Sequence, residues 1–207
     1  MSKRLLELNM ITDTQHTCPI CSLESKYIFT TKHTREVFQC SNDKCGHYFT
    51  PILDHRQGVC DRIEDIQKES EESLKIYEDR NLRLLDLFKT YLSAATKPYR
   101  LLDFGAGNAH ISRTFKEELK DDCVIYCLEP NPLCTCFYSK YNINQVKKID
   151  DIPELIDLIY MIEVIEHLTD PISVLKSLRS KLKPDGMIFI STPSGAENES
   201  LTKLVTF

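Results

Sequence analysis

The stretch that decides the fold is Leu101-Leu102-Asp103-Phe104-Gly105-Ala106-Gly107-Asn108-Ala109-His110-Ile111. Leu101 to Phe104 reads as a short apolar strand, and Gly105 and Gly107 as a tight turn. Ile111, Phe115 and Leu119 then recur every fourth residue, as a helix requires. A strand, a glycine turn and a helix N-terminus form a nucleotide-type site. The glycines let the backbone approach a ligand, and the first helical amides attract an anion. A dinucleotide loop would carry a third glycine at His110. The pattern is instead G-x-G-x-G, with Ala109 in the third glycine position. The next strand, Cys123 to Leu128, ends in Glu129, where an acid can accept hydrogen bonds from both hydroxyls of a ribose.

Downstream, Leu155 to Ile162 is a near-continuous apolar run, the mark of a strand buried on both faces. Asp170-Pro171 suits the N-cap and first position of a helix whose apolar face is Leu175, Leu178 and Leu182. Lys183-Pro184-Asp185-Gly186 reads as a turn and Met187 to Ser191 as a strand. The third strand is short and polar, about Gln145 to Ile149. Strands and helices alternating in this order imply an α/β fold with a parallel sheet.

Upstream, residues 58–98 carry apolar residues at helical spacing (Ile63, Ile66, Leu74, Tyr77, Leu84 or Leu85, Phe88, Leu92), predicting one or two amphipathic helices over about 61–93. The half from Asn81 to Tyr91 is apolar enough to pack on the domain that follows.

Four of the nine cysteines lie earlier still: Cys18-Pro19-Ile20-Cys21, and Cys40 and Cys45 with Gly46 beyond them. Two cysteine pairs flanking a short strand-forming stretch read as a tetrahedral zinc site, and four thiolates leave no open position for catalysis. The role expected is structural, holding a module too small to fold alone. His16, His33 or His47 is the alternative to one thiolate. Cys123 and Cys127 are read as core, Cys134 and Cys136 as pointing apart on a helix, and Cys60 has no assigned role.

The chain has 207 residues, with 26 basic and 31 acidic side chains and a net charge of −5. Residues 1–57 carry +1, 58–98 carry −2 and 99–207 carry −4. No segment has the basic surplus expected of a phosphate-backbone binder, so nucleic acid is an unlikely partner. No apolar run has the roughly 20 residues a membrane helix needs. The N-terminus lacks the apolar stretch of a secretory signal, so a cytoplasmic protein is expected.

The motifs together resemble the class I methyltransferases that use S-adenosylmethionine. LLDFGAGNA looks like their first motif and CLEP like their acidic second-strand end. DLIYMIEVIEHLTDP with LKPDGMIFISTP looks like their fourth strand, following helix and fifth strand. The resemblance covers about 99–194, and the cysteine pairs with CGHYF resemble the zinc-ribbon leader of a subgroup associated with small-molecule, sugar or glycan methylation. It implies a Rossmann-like core over 99–207, a zinc-ribbon-like module over 1–57 and a helical connector over 58–98. Asp103, Gly105, Ala106 and Gly107 would line the methionine end of the cofactor, and Glu163 would lie under it. Glu129 would hold the ribose, with Pro130 and Asn131 beside the adenosine. Asp150 or Asp151 would approach the adenine, and Ile152 would pack on it.

For a hydroxyl acceptor, His167 is the candidate base, with Glu166 beside it; a structural histidine at a helix start is the alternative. The letters of Glu163, Glu166 and His167 also resemble the magnesium or manganese ligands of some family members. His110 is expected in solvent, although it lies near the cofactor carboxylate. The competing functions are an RNA methyltransferase, a nicotinamide-dependent oxidoreductase, and a truncated, non-catalytic cofactor-binding or interaction protein.

Family members build seven strands, and five are placed here. After Pro193 only a short helix at about 199–205 is expected. The exposed fifth-strand edge then offers a route to a homodimer.

Overall fold

The computed structural model describes residues 16–31, 34–51 and 63–192; for 63–74 and Thr135 it describes the backbone alone. His33, Cys60 and the helix expected at 199–205 lie outside the described residues. The described residues fall into two compact units, one holding 16–51 and the other 63–192.

The first unit is a three-stranded antiparallel meander. Its strands are β1 (Ser25–Thr30), β2 (Glu36–Cys40) and β3 (Tyr48–Phe49), in the order β1-β2-β3. Tyr27 pairs with Phe38 and Phe38 with Phe49. Phe38 is buried, with the rings of His16, Tyr27 and Phe49 within 4.6–6.1 Å of it. So small a core leaves the cysteine cluster as the other source of order.

The second unit begins with one helix, α1 (Ile63–Leu92), matching the predicted span. Then follow β4 (Tyr99–Phe104), α2 (His110–Leu119), β5 (Cys123–Leu128), α3 (Thr135–Lys140) and β6 (Asn144–Val146). The unit closes with β7 (Ile156–Ile162), α4 (Pro171–Lys181) and β8 (Leu182–Ser191). The five strands form one parallel sheet in the order β6-β5-β4-β7-β8.

Strand alternation sorts the core onto two faces. Leu101, Ile125, Cys127, Leu158 and Tyr160 pack with Leu85, Phe88 and Leu92 of α1 and Phe115 of α2. Leu102, Tyr126, Ile159 and Met161 pack with Leu178 of α4 on the other. Cys123 and Cys127 are buried, as expected of small hydrophobes. Asp170 caps α4 by accepting from the Ser173 N–H at 3.0 Å, with Pro171 opening the helix. Among the described residues no helix is long and apolar enough to cross a membrane.

Three local readings need correction. Lys183 to Gly186 do not separate helix from strand. They form a bulge inside β8, since Ile156 pairs with Leu182 and Leu158 already pairs with Met187. The third strand is only Asn144–Val146, followed by a 3-10 turn over Ile149–Asp151. His110 is not in solvent: the Tyr77 ring stacks on it at 5.5 Å, and Asn81 Nδ2 lies 3.3 Å from its Nδ1.

Candidate functional site

In the second unit the candidate residues gather at the carboxyl ends of the parallel strands, the edge where open α/β sheets take their ligands. The loop between β4 and α2 is fixed from three directions. Gly105 N–H donates to the Leu128 carbonyl at 2.8 Å, tying the loop to the end of β5. Gly107 N–H donates to Glu129 Oε2 at 2.8 Å. Behind the loop lies Val164, so close that a Cβ on Gly105 would stand 2.4 Å from its Cγ2.

Gly105, Gly107 and Ala109 have φ of +79°, +50° and +57°. All three are in the left-handed region that glycine adopts freely. Ala109, at the third glycine position, is completely buried there, so its methyl is accommodated at the cost of backbone strain. Beside Gly107 the space is open, with nothing among the described residues within 4 Å of where a Cβ would be. Ala109 is the N-cap of α2 and has no side-chain cap bond of its own, while Asn108 Oδ1 accepts from the first helical amide, His110 N–H, at 3.2 Å. The other amides of that first turn suit an anionic group.

Both Glu129 oxygens are oriented, since Oε1 accepts from the Asn131 N–H at 2.8 Å. Each oxygen keeps a second lone pair for an incoming hydroxyl. Pro130 is exposed beside it, and Ala106 is buried in the loop. Asp103 is buried at the end of β4, and Ser112 Oγ donates to its Oδ2 at 2.6 Å. The same hydroxyl lies 2.7 Å from that of Tyr160. Burial pushes the Asp103 carboxyl up to about 7, against the pull of these hydroxyls.

Asp150 and Asp151 sit exposed on the turn after β6, where Asp151 Oδ2 accepts from the Lys148 N–H at 3.3 Å. Ile152, expected against an adenine, is instead 1% exposed in the core cluster on the α4 face. Glu163 leaves β7 exposed, with φ +55° and its N–H on the Ser191 carbonyl at 2.7 Å. A non-glycine residue held in this conformation beside a ligand edge is a common mark of a functional turn. Glu166 and His167 follow on the exposed 3-10 turn Ile165–His167.

Glu163, Glu166 and His167 do not bring their ligand atoms together. Among the described residues only Cys18, Cys21, Cys40 and Cys45 bring three or more such ligand atoms together. The magnesium reading therefore has no ligand set behind it.

The sequence reading missed a second set of residues, on α1. Arg80 lies over the Tyr77 ring, 4.2 Å from its centroid. Asn81 is fully buried and reaches the His110 carbonyl and Thr114 Oγ1, each at 3.3 Å. Arg80 Nε and Asn81 Oδ1 are buried with no hydrogen-bond partner among the described residues. Such groups are costly unless something outside the chain satisfies them. Burial, with the charges of Arg80 and Arg113, pushes His110 down to about 4 and keeps it neutral. The available signal was Asn81 itself, a polar residue four positions from both Tyr77 and Leu85 on the packing face of α1.

In the first unit the sulfurs of Cys18, Cys21, Cys40 and Cys45 all lie within 4.8 Å of one another. The Cys18–Cys45 and Cys21–Cys40 separations are 3.8 and 3.4 Å. A tetrahedron of sulfurs at the usual zinc–sulfur length of about 2.3 Å has edges of roughly 3.8 Å. The amide two residues beyond each cysteine faces its sulfur: Ile20, Leu23, Asn42 and His47 in turn. Such amides stabilise thiolates, and the Leu23 amide is the main cause that brings Cys21 down to about 7. Ser22 and Gly46, both with φ +59°, close the two turns.

The pattern of the methyltransferase domain matches residues 76–206. Ubiquinone biosynthesis O-methyltransferase of Haemophilus ducreyi is 46% identical over 39 residues, 19% of this chain and 16% of that enzyme. DesVI of Streptomyces venezuelae has a similar fold, with a TM-score of 0.52 at 16% identity, over 69% of this chain and 62% of that one. The plantazolicin methyltransferase BamL, solved with a triazolic desmethylPZN analogue and S-adenosylhomocysteine, gives 0.50 at 15% identity, over 61% and 50%. In each case the match spans less than two thirds of the other protein's length. The domain pattern, by contrast, takes in well over half of this chain, which is thus a member of the methyltransferase domain family.

Proposed function

We propose that the chain binds S-adenosylmethionine at this edge and transfers its methyl group to a small-molecule acceptor: a sugar, a glycan or a secondary metabolite. The observation that carries the reading is the glycine loop hydrogen-bonded to Glu129, with open space beside Gly107. In this reading Glu129 takes the ribose hydroxyls, with Pro130 and Asn131 beside it. Asp103, Gly105, Ala106, Gly107 and Glu163 surround the methionine portion, and Asp150 or Asp151 faces the adenine. The unsatisfied Arg80 Nε and Asn81 Oδ1, beside the N-terminus of α2, suit the carboxylate and ammonium of an amino-acid group.

When bound, the cofactor supplies an activated methyl on a sulfonium. The protein's task is then in-line placement and exclusion of water. His167, exposed after β7, accepts the proton of an acceptor hydroxyl, with Glu166 next to it. The O-methyltransferase name of the curated relative supports a hydroxyl acceptor. The four-cysteine module over 1–57 holds one structural zinc, the segment 58–98 connects it, and 99–207 carries the chemistry.

Calorimetry with S-adenosylhomocysteine tests the reading. One site per chain is expected, with micromolar affinity, weakened at least about tenfold by Glu129→Ala. Binding of NADH without S-adenosylhomocysteine would overturn it. An acceptor screen that follows S-adenosylhomocysteine release then identifies the substrate.

A further inference from the structure

The two peptide units that meet at Gly107 are each held from one short segment. The Gly107 N–H donates to Glu129 Oε2, and its carbonyl accepts from the Tyr138 hydroxyl at 2.7 Å. Tyr138 lies on α3, nine residues after Glu129 in the chain, and is 1% exposed. Its ring packs in the same cluster as Phe137, Ile143 and Phe115, which leaves the hydroxyl little freedom to turn elsewhere. Gly107 itself sits at φ +50° with no side chain to pin it. The plane before Gly107 is held by Glu129 and by the Ala106 carbonyl, which accepts from the Ala109 N–H at 2.7 Å, and the plane after it by Tyr138.

We propose that Tyr138 is a positioning residue for the cofactor. It locks the Gly107–Asn108 peptide, next to the one that Glu129 holds, so that the glycine loop and the Glu129 carboxylate present one preformed surface. The proposal rests on the cofactor reading above. It adds that the β5–α3 connection and the loop act as one latched body, and that the latch sets affinity. Without the hydroxyl, the Gly107 carbonyl loses its buried donor and the peptide can rotate. Ligand binding must then order the loop at its own cost.

The test is Tyr138→Phe, which keeps the ring and its packing. Calorimetry should show S-adenosylhomocysteine binding about tenfold weaker, the worth of one buried hydrogen bond, with melting within a few degrees of the parent. Tyr126→Phe is the control, because the Tyr126 hydroxyl donates to Glu154 and touches no part of the loop. It should bind like the parent. A Tyr138→Phe affinity within twofold of the parent overturns the proposal while leaving the cofactor reading intact. A parent that binds no S-adenosylhomocysteine defeats the cofactor reading instead.

Hydrogen exchange on the ligand-free proteins gives a measurement that needs no ligand. The Gly107 amide should exchange several-fold faster in Tyr138→Phe than in the parent. Unchanged exchange there also overturns the latch. Should the variant not fold, the parent decides: ligand must protect 105–110 and 129–138 together, and protection of one segment alone counts against the proposal.

Discussion

The Ser112 hydroxyl donates to Asp103 at 2.6 Å across the interface of α2 and β4, and the carboxyl it holds has no cation beside it among the described residues. Burial in that position pushes the carboxyl up to about 7 from its ordinary 3.8.

Folding stability should carry two opposed pH slopes. Between about pH 4 and 7 the folded state holds a proton on Asp103 that the unfolded chain has lost, so stability falls as pH rises. His110 is lowered from 6.5 to about 4, so the unfolded chain binds the extra proton and stability rises with pH over that window. Where the windows overlap, the two slopes offset each other. Asp103→Asn should leave a rising slope and His110→Gln a falling one, read from denaturation midpoints at successive pH values. A variant profile parallel to the parent's would refute the assignment of that slope.

Metal analysis of the purified protein should give about one zinc per chain. Cys18→Ser and Cys45→Ser should each lower the content. A chelator should melt the β1–β3 unit, whose own core is small. Equal zinc in parent and variants would count against the site.

The two loop glycines should fail differently. Gly105→Ala drives a methyl into Val164 and should cost about 1–3 kcal/mol by denaturant titration. Val164→Ala should recover part of that loss. Gly107→Ala meets no atom and carries only the left-handed backbone strain, about 1–2 kcal/mol. It should nonetheless weaken S-adenosylhomocysteine binding, because the methyl occupies the open space. No rescue by Val164→Ala would mean the contact is not what limits position 105.

Arg80→Ala should weaken S-adenosylhomocysteine binding about tenfold or more, the scale of a lost charge-assisted hydrogen bond. Melting should change little, because Arg80 has no ion pair among the described residues. Adenosine, which lacks the amino-acid group, should bind parent and variant alike. Equal losses for both ligands would place Arg80 elsewhere in the site.

Much of this was legible from the residues, and the reasons are specific. Leu101 to Phe104 and Ile156 to Ile162 read as strands because both faces are apolar, and the glycines between such a strand and a four-residue apolar repeat have few other uses. The α1 contribution was hidden. Arg80 and Asn81 look like an ordinary polar helix surface until α2 is packed on it and His110 is turned inward. Ile152 was misplaced because the packing of α4, rather than any local pattern, decides which way that residue faces. The β8 bulge read as a turn because Pro184 and Gly186 are the same punctuation in either setting.

The sheet order has a consequence for how the protein is made. β4 pairs with β5, its near neighbour in sequence, and on its other side with β7, more than fifty residues later. Pairings of such long range form late in folding. A nascent chain that has emerged through α3 already contains the glycine loop, Glu129 and Tyr138. It still lacks Tyr160, which meets Ser112, and Val164, which backs Gly105. Ligand affinity should therefore arrive in two stages during synthesis, the second only when β7 closes behind the loop.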